Sequence, residues 1–140
     1  MNHSTPTITV KTTVNAPLDK VWNFWTTPQH ICLWNFASPE WHNPFAENNL
    51  QVGGKFLYRM EAKDGSFGFD FWGIYTEVVN HKVIGYEMGD GRKATITFLE
   101  TPEGILITET FEAETTNSIE SQVSGWLSIL NNFKKYVEQN

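Results

Sequence analysis

Histidine, cysteine and carboxylate side chains are where chemistry would start, and this chain scatters them. Its four histidines, His3, His30, His42 and His81, read as lying in a tail, a short helix, a loop and a turn. With no His pair at helical spacing and no cysteine cluster, a metal finds no ligand set. The lone cysteine, Cys32, has only His30 nearby, and side chains two positions apart on a helix point away from each other. No serine stands in a strained elbow motif, and Gly53-Gly54 is too short to cradle a phosphate; at a strand entrance it fits a bulge or bend. Neither a metal nor an organic cofactor is expected. What remains is a set of titratable groups flanked by aromatic or β-branched residues: Trp41-His42, Arg59, Asp70, Glu77 and Glu109. Glu77, sharing a face with Tyr75, could act as a general acid or base through a raised pKa, or could lie at a wet sheet edge. His42 could orient a ligand carbonyl or move a proton, or could make ordinary loop hydrogen bonds.

The elements that must position these groups follow from the period of the apolar residues. Residues 7–15 alternate, with Ile8, Val10 and Val14 on one side, as in a half-buried strand. Pro17 suits the first turn of a helix whose apolar face is Val21, Trp22, Phe24 and Trp25. Thr27-Pro28 ends that helix and opens a second, short one running to about Trp34. Residues 35–49, rich in Pro, Asn and aromatic side chains, read as an irregular loop. A meander follows. Residues 55–62 and 67–79 pair across the Asp64-Gly65 turn, and residues 82–88, 93–100 and 105–114 are separated by turns at Asn80-His81, Asp90-Gly91 and Pro102-Glu103-Gly104. A two-residue turn fixes the register, setting Met60 against Phe69, Tyr58 against Phe71 and Arg59 against Asp70. The aromatic pairs then share one face and the ion pair lies on the other. The same arithmetic sets Tyr75 against Tyr86.

Residues 118–139 read as one long helix, with Val123, Trp126, Leu127, Leu130, Phe133 and Val137 at three-and-four spacing. Ile129 and Tyr136 widen that stripe until it can touch a sheet and a cavity at once. Asn117 with Glu120 fits a capping box, and Lys134 and Lys135 suit the helix's negative end. Gly125 inside the helix fits either close approach to a strand or room for a guest.

Net charge of −6 over 140 residues disfavours nucleic acid and anionic membrane as partners. One unpaired cysteine suits a reducing, cytoplasmic location, and no apolar run approaches the ~20 residues of a spanning helix. A single domain is expected. Six Trp and ten Phe make 14% of the chain aromatic, side chains that pack a core or wall an apolar cavity.

The segments APLDKVWNFWTTPQHICLW, LQVGGKFLYRMEAKDGS, FDFWGIYTEVV and GWLSILNNFKKYVE resemble, in order, signature segments of the START-like superfamily. Within it they resemble the branch named after the activator of heat-shock protein 90 ATPase, over nearly the whole chain from Ile8 to Glu138. The resemblance implies an α+β helix-grip fold: a curved antiparallel sheet wrapped around a long C-terminal helix, two short helices after the first strand, and an apolar pocket between helix and sheet. The pocket so implied is walled by Tyr58, Met60, Phe69, Phe71, Tyr75, Tyr86, Met88, Trp126, Ile129 and Leu130, with Trp34, Trp41, His42 and Phe45 near its entrance. Members of the superfamily bind lipids or polyketides, cyclise them, or act as co-chaperone domains, and a fold does not choose among these. Binding of a small apolar or aromatic molecule is expected ahead of catalysis. The alternatives are a cyclase or dehydratase using His42 or Glu77, and a chaperone contact. In the eponymous co-chaperone a separate N-terminal domain makes much of the chaperone contact, whereas here the family segments begin near residue 8. No oligomeric state is assigned.

Overall fold

A computed structural model describes residues 6–140. Alternating apolar residues at Thr7–Val14 form β1, which pairs antiparallel with the strand farthest from it in sequence, β7 (Gly104–Glu112). Between them come helices α1 (Leu18–Thr26) and α2 (Pro28–Trp34) and strands β2 (Trp41–Asn48), β3 (Lys55–Ala62), β4 (Gly68–Val79), β5 (Val83–Met88) and β6 (Lys93–Thr101). Helix α3 (Ile119–Gln139) ends the chain. The seven strands make one antiparallel sheet in the order β1-β7-β6-β5-β4-β3-β2. This is the helix-grip arrangement, with α3 held against the inner face of the sheet and α1 and α2 packed beside it.

The registers expected from the hairpin turn hold: Met60 pairs with Phe69, Arg59 with Asp70, Tyr58 with Phe71, and Tyr75 with Tyr86. Arg59 and Asp70 meet on the outer face at 3.3 Å, with Glu61 closer to the same guanidinium at 2.8 Å. Gly73, opposite Phe56, is required for packing, since a Cβ there would lie 2.7 Å from the Phe56 ring and from the Glu87 carbonyl oxygen. Without that side chain the Phe56 ring packs over the Gly73 backbone, 1% exposed.

Four expectations are corrected. The segment 35–49 is not all loop, because Trp41–Asn48 is the edge strand β2. Its register shifts between His42 and Phe45, around Pro44, which has no N–H to give. The Asn43 side chain donates to the carbonyls of Phe45 and Arg59, each at 2.8 Å, and so meets the demand the bulge creates. An Asn and Pro run reads as loop in sequence, yet an edge strand tolerates both. Second, α3 is capped by Ser118, whose hydroxyl accepts from the Ser121 N–H at 3.1 Å. Asn117 instead turns toward Glu114, so the box with Glu120 does not form. Third, Gly125 has nothing within 4 Å of where a Cβ would stand, so no strand approaches it closely, and it is not among the residues that line the cavity between α3 and the sheet. Fourth, Lys134 donates to the Thr13 carbonyl at 2.6 Å rather than to the helix end. Glu138 accepts from the Asn15 N–H at 2.8 Å, and the two contacts clamp α3 to β1.

The two halves of α3 differ. Leu130, Phe133 and Val137 are fully buried, whereas Val123, Trp126, Leu127 and Ile129 are half-buried. The C-terminal half therefore fills the core, and the N-terminal half leaves space beneath it.

Candidate functional site

That space is a cavity of about 320 Å³ between α3 and the inner faces of β3 to β7. Its walls come from strand alternation, because every second residue of β3, β4 and β5 points inward. Among the residues expected there, Tyr58, Met60, Phe69, Phe71, Tyr75 and Tyr86 line it from the sheet, Trp126 and Ile129 from α3, and Trp34 from α2. Met88 and Leu130 are buried in the core instead, 3% and 0% exposed, without reaching the cavity.

Trp41, His42, Phe45 and Glu77 do not line it either. His42 sits in β2 with its Nε2 3.7 Å from Glu61 on the outer face, where strand formation carried it away from the mouth. Phe45, past the β2 bulge, is 48% exposed. Trp41 packs edge-on against the exposed rings of Phe67 and Phe69, centroids 6.0 Å away. Glu77 is turned out by a bulge: Tyr75 pairs with Tyr86 but Glu77 pairs with Gly85, leaving Thr76 as the extra residue. Val78 takes the inward place that simple alternation assigns to Glu77.

Residues not expected there also line the cavity: Trp25, Asn35, Phe56, Ile84, Arg92, Ile96, Glu109, Glu114, Asn117 and Gln122. For Glu109 a signal existed. Ile105, Ile107, Glu109 and Phe111 alternate along β7 and all are buried, so the parity of its strand puts this carboxylate inside. Gln122 is held by its local work, donating to the carbonyls of Asn117 at 2.9 Å and Glu114 at 3.1 Å while its own oxygen accepts from the Glu114 N–H. It ties the end of β7 to the start of α3 and closes that side of the cavity.

Burial governs the electrostatics. It pushes Glu109 up to about 8 and Tyr75 up to about 12, and it raises Tyr58 and Tyr86 well above the usual phenol value. The Tyr75 hydroxyl bonds to Asn48 Oδ1, anchoring β4 to β2. Arg92 stands at the cavity edge with Nε donating to Asp90 at 2.7 Å and Nη1 to the Glu112 carbonyl at 3.1 Å. The result is an aromatic chamber with one acidic, hydrogen-bonding end.

Other chemistry has little footing. Among the described residues no three His, Cys, Asp or Glu groups gather to hold a metal ion, and His3 lies outside the described residues. Burial raises the Cys32 thiol, which blunts it as a nucleophile. His30 is structural, stacked on Phe24 with centroids 3.9 Å apart and bonded through Nδ1 to the Tyr136 hydroxyl at 2.8 Å. Among the described residues no helix is long and apolar enough to cross a membrane.

A sheet that grips one long helix over an apolar cavity defines the class. The sequence profile described as "Activator of Hsp90 ATPase homolog 1-like protein" matches residues 15–138, and the chain belongs to that family. The AHSA1-like protein from Aeromonas hydrophila, solved by NMR in solution, is 40% identical, with 96% of this chain and 93% of that one covered and a TM-score of 0.90. Chr148 from Cytophaga hutchinsonii is 51% identical over 95% of this chain and 92% of that one, with a TM-score of 0.82. CV1439 from Chromobacterium violaceum, 22% identical over 96% and 99% with a TM-score of 0.85, shares the fold. No curated protein sequence matches.

Proposed function

We propose that this chain is a binding protein for a small apolar or aromatic molecule, held between α3 and the concave face of the sheet. The observation that carries this is the cavity, since about 320 Å³ walled largely by aromatic rings falls at the lower end of the ~300–1,000 Å³ typical of small-molecule sites. Burying the guest's apolar surface, at ~25 cal/mol per Å², supplies affinity, and the few polar groups supply orientation. The cyclase alternative relied on His42 or Glu77 reaching the cavity, and both lie outside it. A chaperone contact would draw on the exposed ring of Phe67 beside Trp41, with Phe69 shared between that patch and the cavity wall.

Mass spectrometry of the gently purified protein, exposed to an extract of its own cells, tests the reading. A retained apolar or aromatic compound is the expected result. Its loss from an Ile129→Trp variant, which fills the chamber from α3, ties the compound to the cavity. Retention undiminished in that folded variant would place the binding elsewhere.

A further inference from the structure

Ligand binding by apolar contact alone leaves Glu109 unexplained. It is 6% exposed and sits on the inner face between Ile96 of β6 and Val10 of β1. The adjacent inner row is Tyr86, Ala94 and Phe111, with the small Ala94 between the two rings. Tyr86 on β5 and Glu109 on β7 thus stand two strands apart and one inward row offset, with the small Ala94 of β6 between them, and both line the cavity. Their side chains make no hydrogen bond to another described residue. Yet among the described residues no buried side-chain oxygen or nitrogen is sealed away without a partner, so both groups open onto the cavity. Two polar groups that no protein partner occupies thus face an aromatic chamber, free to pair with a polar atom of a guest.

We infer that Tyr86 and Glu109 form a two-donor receptor for the carbonyl oxygen of an apolar ketone or enone, whose hydrocarbon body lies against Phe71 and Trp126. This rests on the cavity being a ligand site. A carboxyl donates only while protonated, and burial, holding Glu109 at about 8, keeps its proton on at neutral pH. Tyr86 stays neutral through the same range because burial, and then the charge of Glu109, raises it. The other titratable or charged groups sharing the chamber are Tyr58, Tyr75, Arg92 and Glu114; α3 offers only Gln122, Trp126 and Ile129, and β1 presents Val10. Glu114 is engaged by Asn117 through both the backbone and the side chain. At Tyr86 the field of Arg92 ranks behind those of Glu109 and Tyr75, so it is the protonated, neutral Glu109 that favours a carbonyl guest over an amine.

Acetophenone, ethylbenzene and α-methylbenzylamine share one body and differ in the group presented, and their binding is followed by amide NMR shifts of the full chain. Acetophenone should bind about tenfold more tightly than ethylbenzene below pH 8, the size of one or two net hydrogen bonds. That preference should fade as pH rises above about 8 and Glu109 ionises. Glu109→Gln keeps a donor, so it should retain the preference and lose the pH dependence, while Glu109→Leu and Tyr86→Phe should each reduce it. Equal binding of ketone and hydrocarbon at low pH, or preference for the amine, overturns the inference and leaves the apolar cavity reading in place. Failure of all three to shift cavity residues overturns both.

Discussion

The ring of Phe111 and the indole of Trp126 lie nearly parallel, 12° apart in plane with centroids separated by 3.7 Å. This stack joins β7 to the N-terminal half of α3, the half that does not fill the core. It holds the helix over the chamber, and the Phe71 ring meets the same indole edge-on at 6.4 Å. The stack therefore sets the height of the cavity as well as contributing to stability.

Trp126→Ala should cost about 3 kcal/mol, from lost apolar burial and the lost stack. Urea unfolding measures it. Trp126→Phe, which keeps a ring over Phe111, should recover at least half of that loss.

Glu109 gives the stability a defined pH dependence. Its folded pKa, about 8, is raised above the ordinary carboxylate value of 4.5, so its contribution is fully present below pH 4.5 and is lost as pH rises toward 8. The slope is about 1.4 kcal/mol per pH unit within that window, because the unfolded chain is ionised while the folded one must hold a proton. Urea midpoints between pH 5 and 9 should show Glu109→Gln gaining on the wild type up to about pH 8 and running parallel to it above.

Two glycines should respond in opposite directions to alanine. Gly125→Ala, with open space at its Cβ, should stabilise α3 by up to ~1 kcal/mol. Gly73→Ala should destabilise by about 1–3 kcal/mol, because the backbone oxygen of Glu87 and the Phe56 ring stand in the way. Thermal melts of the two variants, compared with the parent, decide both signs.

The cap of α3 should be found at Ser118. Ser118→Ala should lower stability by about 1 kcal/mol, whereas Glu120→Ala should change it by less than about 0.5 kcal/mol. Denaturant midpoints distinguish these from the Asn117-centred box.

Much of this fold was legible because the hairpin arithmetic is local. Asp64-Gly65 set the register of β3 against β4, and that register put Tyr58, Met60, Phe69 and Phe71 on the face that lines the cavity. Where a bulge intervened, parity failed: Thr76 turned Glu77 outward, and nothing in its sequence neighbourhood marks that extra residue. β2 was hidden for another reason, because Pro44 and its neighbouring asparagines are tolerated only through side-chain bonds that depend on β3 being alongside. Glu109 was visible as a charged residue but not as the polar anchor of the chamber. Its strand's alternation carried that information, and a carboxylate on an apolar parity was the clue.

The occupancy of the chamber is tested most directly by intermolecular NOEs from acetophenone to the protein. Cross-peaks to the side chains of Phe71, Tyr86, Trp126 and Ile129 are the expected result. Cross-peaks confined to the exposed rings of Trp41 and Phe67, or none at saturating acetophenone, would contradict an open site beneath α3.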